Sequence, residues 1–212
     1  MKEHPNPSCV VKVGECRGFI VEHRVKIHRL KPLSAGVKLR SFRKLRLVVT
    51  AAHCLPHLPP PHAASFTEER TYRNLLGKLD ECKGSIAAEC LFVDPVADVA
   101  VLGSPDNQNL PDDADAYDEL TQAPPALRIR NARSGSGWVL SLDRRWIRTA
   151  LAVVVGVRLE IDATKTGMSG SPVLNDNGEA VGVVVIGGRP VGQPILTLSL
   201  PGRFLRAEHW KM

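Results

Sequence analysis

The sequence predicts an all-β protein of sandwich or barrel architecture, and three observations predict it. Short runs rich in Val, Ile and Leu recur along the whole chain. Stretches rich in Gly, Pro and Asn separate them, as turns separate strands. Long amphipathic helices are nearly absent, the helical candidates being Glu68 to Leu76 and Gly202 to Trp210.

The elements follow in chain order. Gly18 to Val21 and Leu45 to Thr50 are the first two apolar runs. Leu55 to Ala64 holds four prolines and two histidines and cannot be regular structure. Val99 to Leu102 is the next strand. Ser104 to Pro125 is polar and acidic, with Pro105, Pro111, Pro124 and Pro125 framing Asp112-Asp113-Ala114-Asp115. It reads as a connector between two β-rich halves that share no internal repeat. The second half carries Trp138 to Leu142, Ala150 to Ile161, Val173-Leu174, Ala180 to Ile186 and Ile195 to Leu200. Asn175-Asp176-Asn177-Gly178 is the clearest hairpin turn, because Asn-Gly tolerates positive φ.

Bulk properties exclude some classes of function. The 212 residues fit one large all-β domain or two small ones. No apolar run approaches the roughly 20 residues of a spanning helix. The start, Met1-Lys2-Glu3-His4-Pro5, lacks the apolar core of a signal peptide, so a cytoplasmic protein is expected, with a secreted one as the alternative if a leader has been removed. Net charge is +6, and the densest basic stretch, Lys38 to Arg46, has one aromatic, Phe42. That pattern fits a solvated loop or hairpin better than a nucleic-acid surface. Five cysteines leave at least one unpaired within the chain, and no CxxC pair exists. Neither a structural zinc site nor any cofactor is expected.

Three segments carry chemistry. Val49-Thr50-Ala51-Ala52-His53-Cys54 puts a histidine just after an apolar strand. Ala97-Asp98-Val99-Ala100-Val101-Leu102 puts a carboxylate at the head of one. Thr166-Gly167-Met168-Ser169-Gly170-Ser171-Pro172-Val173 frames a serine with glycines. Acyl transfer needs these residue types. A serine hydroxyl attacks well only when a base takes its proton. Histidine suits that task, and a carboxylate must hold its tautomer. Backbone amides must receive the oxyanion, which calls for an unusual turn that glycines permit. His53, Asp98 and Ser169 are therefore the candidate triad, with the Gly167 and Ser169 amides as oxyanion donors.

In these motifs the chain resembles the trypsin/chymotrypsin-fold serine peptidases. Thr50 to Cys54 matches the family's histidine motif residue for residue, and His53 and Asp98 lie 45 residues apart, as is typical there. The resemblance spans roughly Cys16 to Pro201. It implies two packed six-stranded antiparallel β-barrels with the site in the cleft between them. One peptidase domain over 1–212 is expected: a first barrel at about 9–103, a linker at about 104–125, a second barrel at about 126–201, and a short C-terminal helix or tail at 202–212. A serine endopeptidase acting on protein or peptide substrates is implied, with a catalytically silent, peptide-binding barrel as the alternative.

Departures from the family pattern refine that expectation. Met168 stands where digestive members carry an aspartate that pairs with a freshly cut N-terminus, so activity without such a cut is expected. In this the chain is closer to bacterial trypsin-like, Deg-type peptidases, here without a PDZ extension. Val185 matches a serine that supports the aspartate in many relatives. The resemblance also implies a Cys16–Cys54 disulfide under oxidising conditions. It places Ala163 at the base of the primary pocket, beside Asp162, with Val185, Ile186 and Gly187 as walls. An apolar pocket of this kind favours a small or medium apolar residue at P1.

Overall fold

The computed structural model describes residues 6–27, 41–60, 67–154, 158–162, 164–186 and 192–205. Six strands form the first barrel: β1 (Val10–Val13), β2 (Cys16–Ile27), β3 (Ser41–Thr50), β4 (Thr71–Lys78), β5 (Ile86–Asp94) and β6 (Val99–Gly103). Their order is β1-β2-β3-β6-β5-β4, and every neighbouring pair is antiparallel. Pairing of Val11 with Lys78 and Val13 with Leu76 closes the ring. Closure leaves no free edge, and the aliphatic side chains of all six strands fill the interior. β6 is buried along its full length.

The second half has β7 (Gly135–Leu140), β8 (Trp146–Val154), β9 (Arg158–Glu160), β10 (Pro172–Asn175), β11 (Ala180–Val183) and β12 (Gln193–Pro194). They run β11-β10-β7-β8-β9-β12, again antiparallel. A single bridge, Gly182 to Ile195, brings the two ends of this sheet together. The Asn175–Gly178 turn joins β10 and β11 as expected. Gly178 adopts φ 73° and its amide donates to the Asn175 carbonyl at 2.9 Å.

The barrels share their largest apolar cluster, in which Phe19, Ile20 and Val48 join Leu140, Leu174 and Val183. A smaller cluster, including Val139, Leu151, Leu159 and Met168, fills the second barrel. The segment after the linker stitches the two together. The Leu127 amide donates to Ile20 in β2 at 2.8 Å, and Arg128 and Arg130 bracket Ala180 of β11 with bonds of 2.7 and 2.9 Å.

Several expectations need correction. Glu68 to Leu76 is not a helix: a four-residue turn, α1 (Thr67–Arg70), leads directly into β4. There Tyr72, Leu75 and Leu76 are needed inside the barrel, and sheet pairing overrides local propensity. The acidic connector contains a true helix, α2 (Pro111–Gln122). Pro111 starts it, Asp112 and Asp113 sit in its first turn, and Ala114, Tyr117, Leu120 and Thr121 form one buried face at helical spacing. Within Ala150 to Ile161, β8 ends at Val154 and β9 begins at Arg158, and 155–157 lie outside the described residues. Leu196–Ser199 is a helical turn, α3, rather than strand. The C-terminal candidate shows a 3-10 turn at Gly202–Phe204, and 206–212 lie outside the described residues, as do Lys38 and Arg40. Among the described residues, no helix is long and apolar enough to cross a membrane.

Candidate functional site

Strand register puts the first two candidate residues together. β3 and β6 are antiparallel neighbours with Thr50 opposite Ala100. His53 lies three residues past Thr50 and Asp98 two residues before Ala100, so both stand at the same end of that ladder. After Thr50 the chain enters a 3-10 turn, Ala52–Cys54, whose Ala52 and Cys54 are buried while His53 faces out. Before β6, Asp94 shapes the approach, because its Oδ1 accepts from the amides of Val96 and Ala97, both at 2.9 Å. Asp98 itself stands at φ 59°, the left-handed region that aspartate tolerates better than most residues.

The two side chains engage twice. Asp98 Oδ2 lies 2.7 Å from His53 Nδ1, and Oδ1 accepts the His53 backbone N–H at 2.9 Å. One carboxylate thus fixes both the ring and the main chain that carries it. With the proton on Nδ1, the Nε2 lone pair is left free to act as a base. The histidine side chain is 39% exposed and Asp98 17%, so the pair opens to solvent on the imidazole side. Val185, expected at the position of a supporting serine, lines the cavity beside Asp98 and offers its carboxylate no side-chain donor.

Ser169 sits on the second barrel in a loop docked onto the first. Gly167 and Gly170 take φ 90° and 81°. Two tight turns frame the serine, with Met168 N donating to Lys165 O and Ser171 N to Met168 O, both at 3.0 Å. Gly170 N donates to Val184 O at 2.8 Å and ties the loop to the end of β11. Across the interface, Arg17 N donates to Ser169 O at 2.9 Å. Thr50 Oγ1 donates to the Arg17 carbonyl at 2.6 Å. Gly170 presses on that same carbonyl so closely that a Cβ would fall 1.7 Å from it. Cys16, the neighbour of Arg17, lies with its sulfur within 4.8 Å of a His53 ring nitrogen. The docking therefore holds the serine loop beside the His53–Asp98 pair. Among the described residues, the Gly167 and Ser169 amides have no protein acceptor, as oxyanion donors require.

The neighbouring positions have separate duties. Ser171 is fully buried and its Oγ lacks a partner, whereas Ser169, also buried, keeps 5% of its surface exposed. Met168 is 1% exposed and packs into the second-barrel core, with its sulfur accepting from Lys165 N at 3.3 Å. The Arg17 guanidinium is buried and spans the barrels. It donates to the carbonyls of Leu140 (3.0 Å), Ser141 (2.9 Å) and Leu142 (3.4 Å), and burial lowers its pKa. Leu142 in turn lies against Gly167. Sequence reading missed Arg17, because a basic residue in a strand reads as solvent-facing.

A cavity of about 330 Å³ opens beside His53 and Asp98, lined among others by Leu55, Val96, Arg158 and Val185. Arg158 crosses from the second barrel and donates to Val96 O at 3.2 Å and Gly192 O at 3.3 Å. Val185 and Ile186, the expected pocket walls, are half-buried just past β11. The buried Gln193 side chain accepts the Val185 amide. Asp162 is exposed, with its amide tied to Thr149 Oγ1 at 3.2 Å. Ala163 and Gly187 lie outside the described residues.

Cys16 and Cys54 are both free thiols, so the implied disulfide is not formed. The two sulfurs lie within 4.8 Å of each other, and side-chain hydrogen bonding between them is the leading influence on both thiols. It brings the Cys16 thiol down to about 7 and, with burial, pushes Cys54 up.

The sequence pattern of the trypsin-like peptidase domain matches residues 34–183. No curated protein matches the chain. Among solved structures, the serine protease of a human pathogenic astrovirus is similar over 94% of this chain and 97% of its own, at 17% identity and a TM-score of 0.51. The MamO protease domain of Magnetospirillum magneticum is similar over 92% and 95%, at 15% identity and a TM-score of 0.47.

Proposed function

The chain belongs to the trypsin-like peptidases, and from that premise we propose a serine endopeptidase that works through a His53–Asp98–Ser169 triad and an acyl-enzyme. The observation that carries the reading is the double grip of Asp98 on His53, at the ring and at the backbone. A carboxylate bound only for stability has no need to set a tautomer.

In this reading Ser169 Oγ attacks the peptide carbonyl while its proton passes to His53 Nε2. The imidazolium then stands against the Asp98 carboxylate. The carbonyl oxygen becomes the oxyanion and is met by the free amides of Gly167 and Ser169. His53 returns its proton to the leaving amine, which departs with the C-terminal half of the substrate. Water, deprotonated by the same imidazole, cleaves the ester and restores Ser169. The exposed position of Asp162 and the aliphatic Val185 and Ile186 support a small or medium apolar P1 residue. A peptide library should be cut after Ala, Val or Leu, whereas dominant cleavage after Lys or Arg would put an acidic group in the pocket.

A fluorophosphonate probe tests the nucleophile. The native chain should be labelled, and Ser169→Ala should lose labelling together with turnover, on the order of 10⁶-fold, with its fold intact. Ser171→Ala should be labelled normally. A native chain that stays unlabelled would instead favour a silent peptide-binding barrel.

A further inference from the structure

Beside the catalytic histidine lies a set of donors that the peptidase reading does not use. Cys16 opens β2, while His53 and Cys54 lie in the turn after β3. Pairing of Gly18 with Thr50 sets the register that brings these two segments side by side. One ligand atom from each residue, two sulfurs and a ring nitrogen, lies within 4.8 Å of the others. Among the described residues this is the single group of three such donors. No CxxC spacing announces it, because the ligands come from two separate segments.

We propose that Cys16, Cys54 and His53 form an inhibitory site for a thiophilic divalent cation of the zinc type. Two thiols and an imidazole are the donors such a metal prefers, and water completes a tetrahedron. Zinc-to-sulfur and zinc-to-nitrogen bonds of about 2.3 and 2.1 Å place neighbouring ligands roughly 3.5–3.8 Å apart. Each separation is at most 4.8 Å, so reaching that spacing shortens any one pair by no more than about 1.3 Å. Each thiol gives its proton to water as the metal takes its place. Cys54 is 6% exposed and holds the inner position, whereas Cys16 and His53 are more open, so an ion enters from the cleft. Asp98 and Glu15 act electrostatically on Cys16, which adds negative potential where a cation would sit.

The inhibitory half of the proposal rests on His53 being the base; the binding half does not. Metal on either ring nitrogen disables the histidine, since Nδ1 holds Asp98 and Nε2 must take the serine proton.

The test uses the full chain as Ser169→Ala, reduced with a phosphine and titrated with Zn²⁺ by calorimetry and with Cd²⁺ by ultraviolet absorption. One ion per chain and a thiolate-to-cadmium charge-transfer band are expected. Cys16→Ala, at a half-exposed position that should not disturb folding, should weaken binding by more than about 100-fold, beyond the usual loss of an outer-shell partner. With Ser169 restored, Zn²⁺ should block fluorophosphonate labelling in step with binding, and Cys16→Ala should escape the block. Absent stoichiometric binding, a Cys16→Ala chain that binds as before, or a Cys16–Cys54 disulfide that the phosphine leaves closed in the folded chain would overturn the site. Binding through the thiols without loss of labelling would overturn the inhibition. A chain that shows the band but is never labelled would sink the peptidase reading and leave the metal site standing.

Discussion

In the first barrel, His53 and Asp98 stand just past the ends of two neighbouring strands, and the β3–β6 register alone brings them together. In the second, Ser169 sits in a glycine-framed loop whose position depends on contacts with the other barrel. The first barrel closes through three consecutive β1–β4 pairs, while one bridge closes the second. The His53–Asp98 pair is therefore a property of one barrel, whereas the place of Ser169, the proposed nucleophile, is a property of the interface. Substitutions on the two sides should fail in different ways.

The largest expected effect separates chemistry from structure. Asp98→Asn should lower kcat by about 10⁴-fold by favouring the wrong imidazole tautomer. Asparagine also tolerates the left-handed backbone at this position, so KM and denaturant stability should change little. A loss of activity that merely tracks unfolding would show that the first barrel does not hold the pair independently. Gly170→Ala should fail the other way. Its Cβ would collide with the Arg17 carbonyl and its φ of 81° disfavours any side chain, so a stability loss above about 4 kcal/mol is expected. Urea unfolding measures it, and a tolerated alanine would mean that the serine loop is not held by close contact. Arg17→Met keeps the length of the side chain but leaves the carbonyls of Leu140 and Ser141 without their buried donor. A loss of about 1–3 kcal/mol is expected, with kcat falling because Leu142 shifts against Gly167. Unchanged kinetics would make Arg17 a structural clamp alone.

How much of this was legible in the sequence follows the same division. The three motifs were readable because each is a short contiguous signal: a residue at a strand end, or a serine between glycines. The aliphatic runs Leu45 to Thr50 and Val99 to Leu102 became β3 and β6, which position the histidine and the carboxylate. β4 was hidden because Tyr72-Arg73-Asn74-Leu75-Leu76 mixes polar residues into a strand that turns at Asn74, φ 55°. α2 was hidden by its acids and prolines, although Ala114, Tyr117, Leu120 and Thr121 carried the helical period. Arg17 and Arg158 were out of reach, because each acts on backbone groups far away in the chain and no local pattern encodes such a contact.

The lock between Gly170, Arg17 and Thr50 also orders events in time. The serine loop docks on a carbonyl near the start of β2 and a hydroxyl at the end of β3, so its landing place needs that strand pair to be formed. The loop's own tie to Val184 requires the second barrel as well. Contacts this distant in sequence form late, after the local hairpins whose loop-closure cost is smaller. The loop that carries the proposed nucleophile is thus expected to find its place late, after His53 and Asp98 have met on the first barrel.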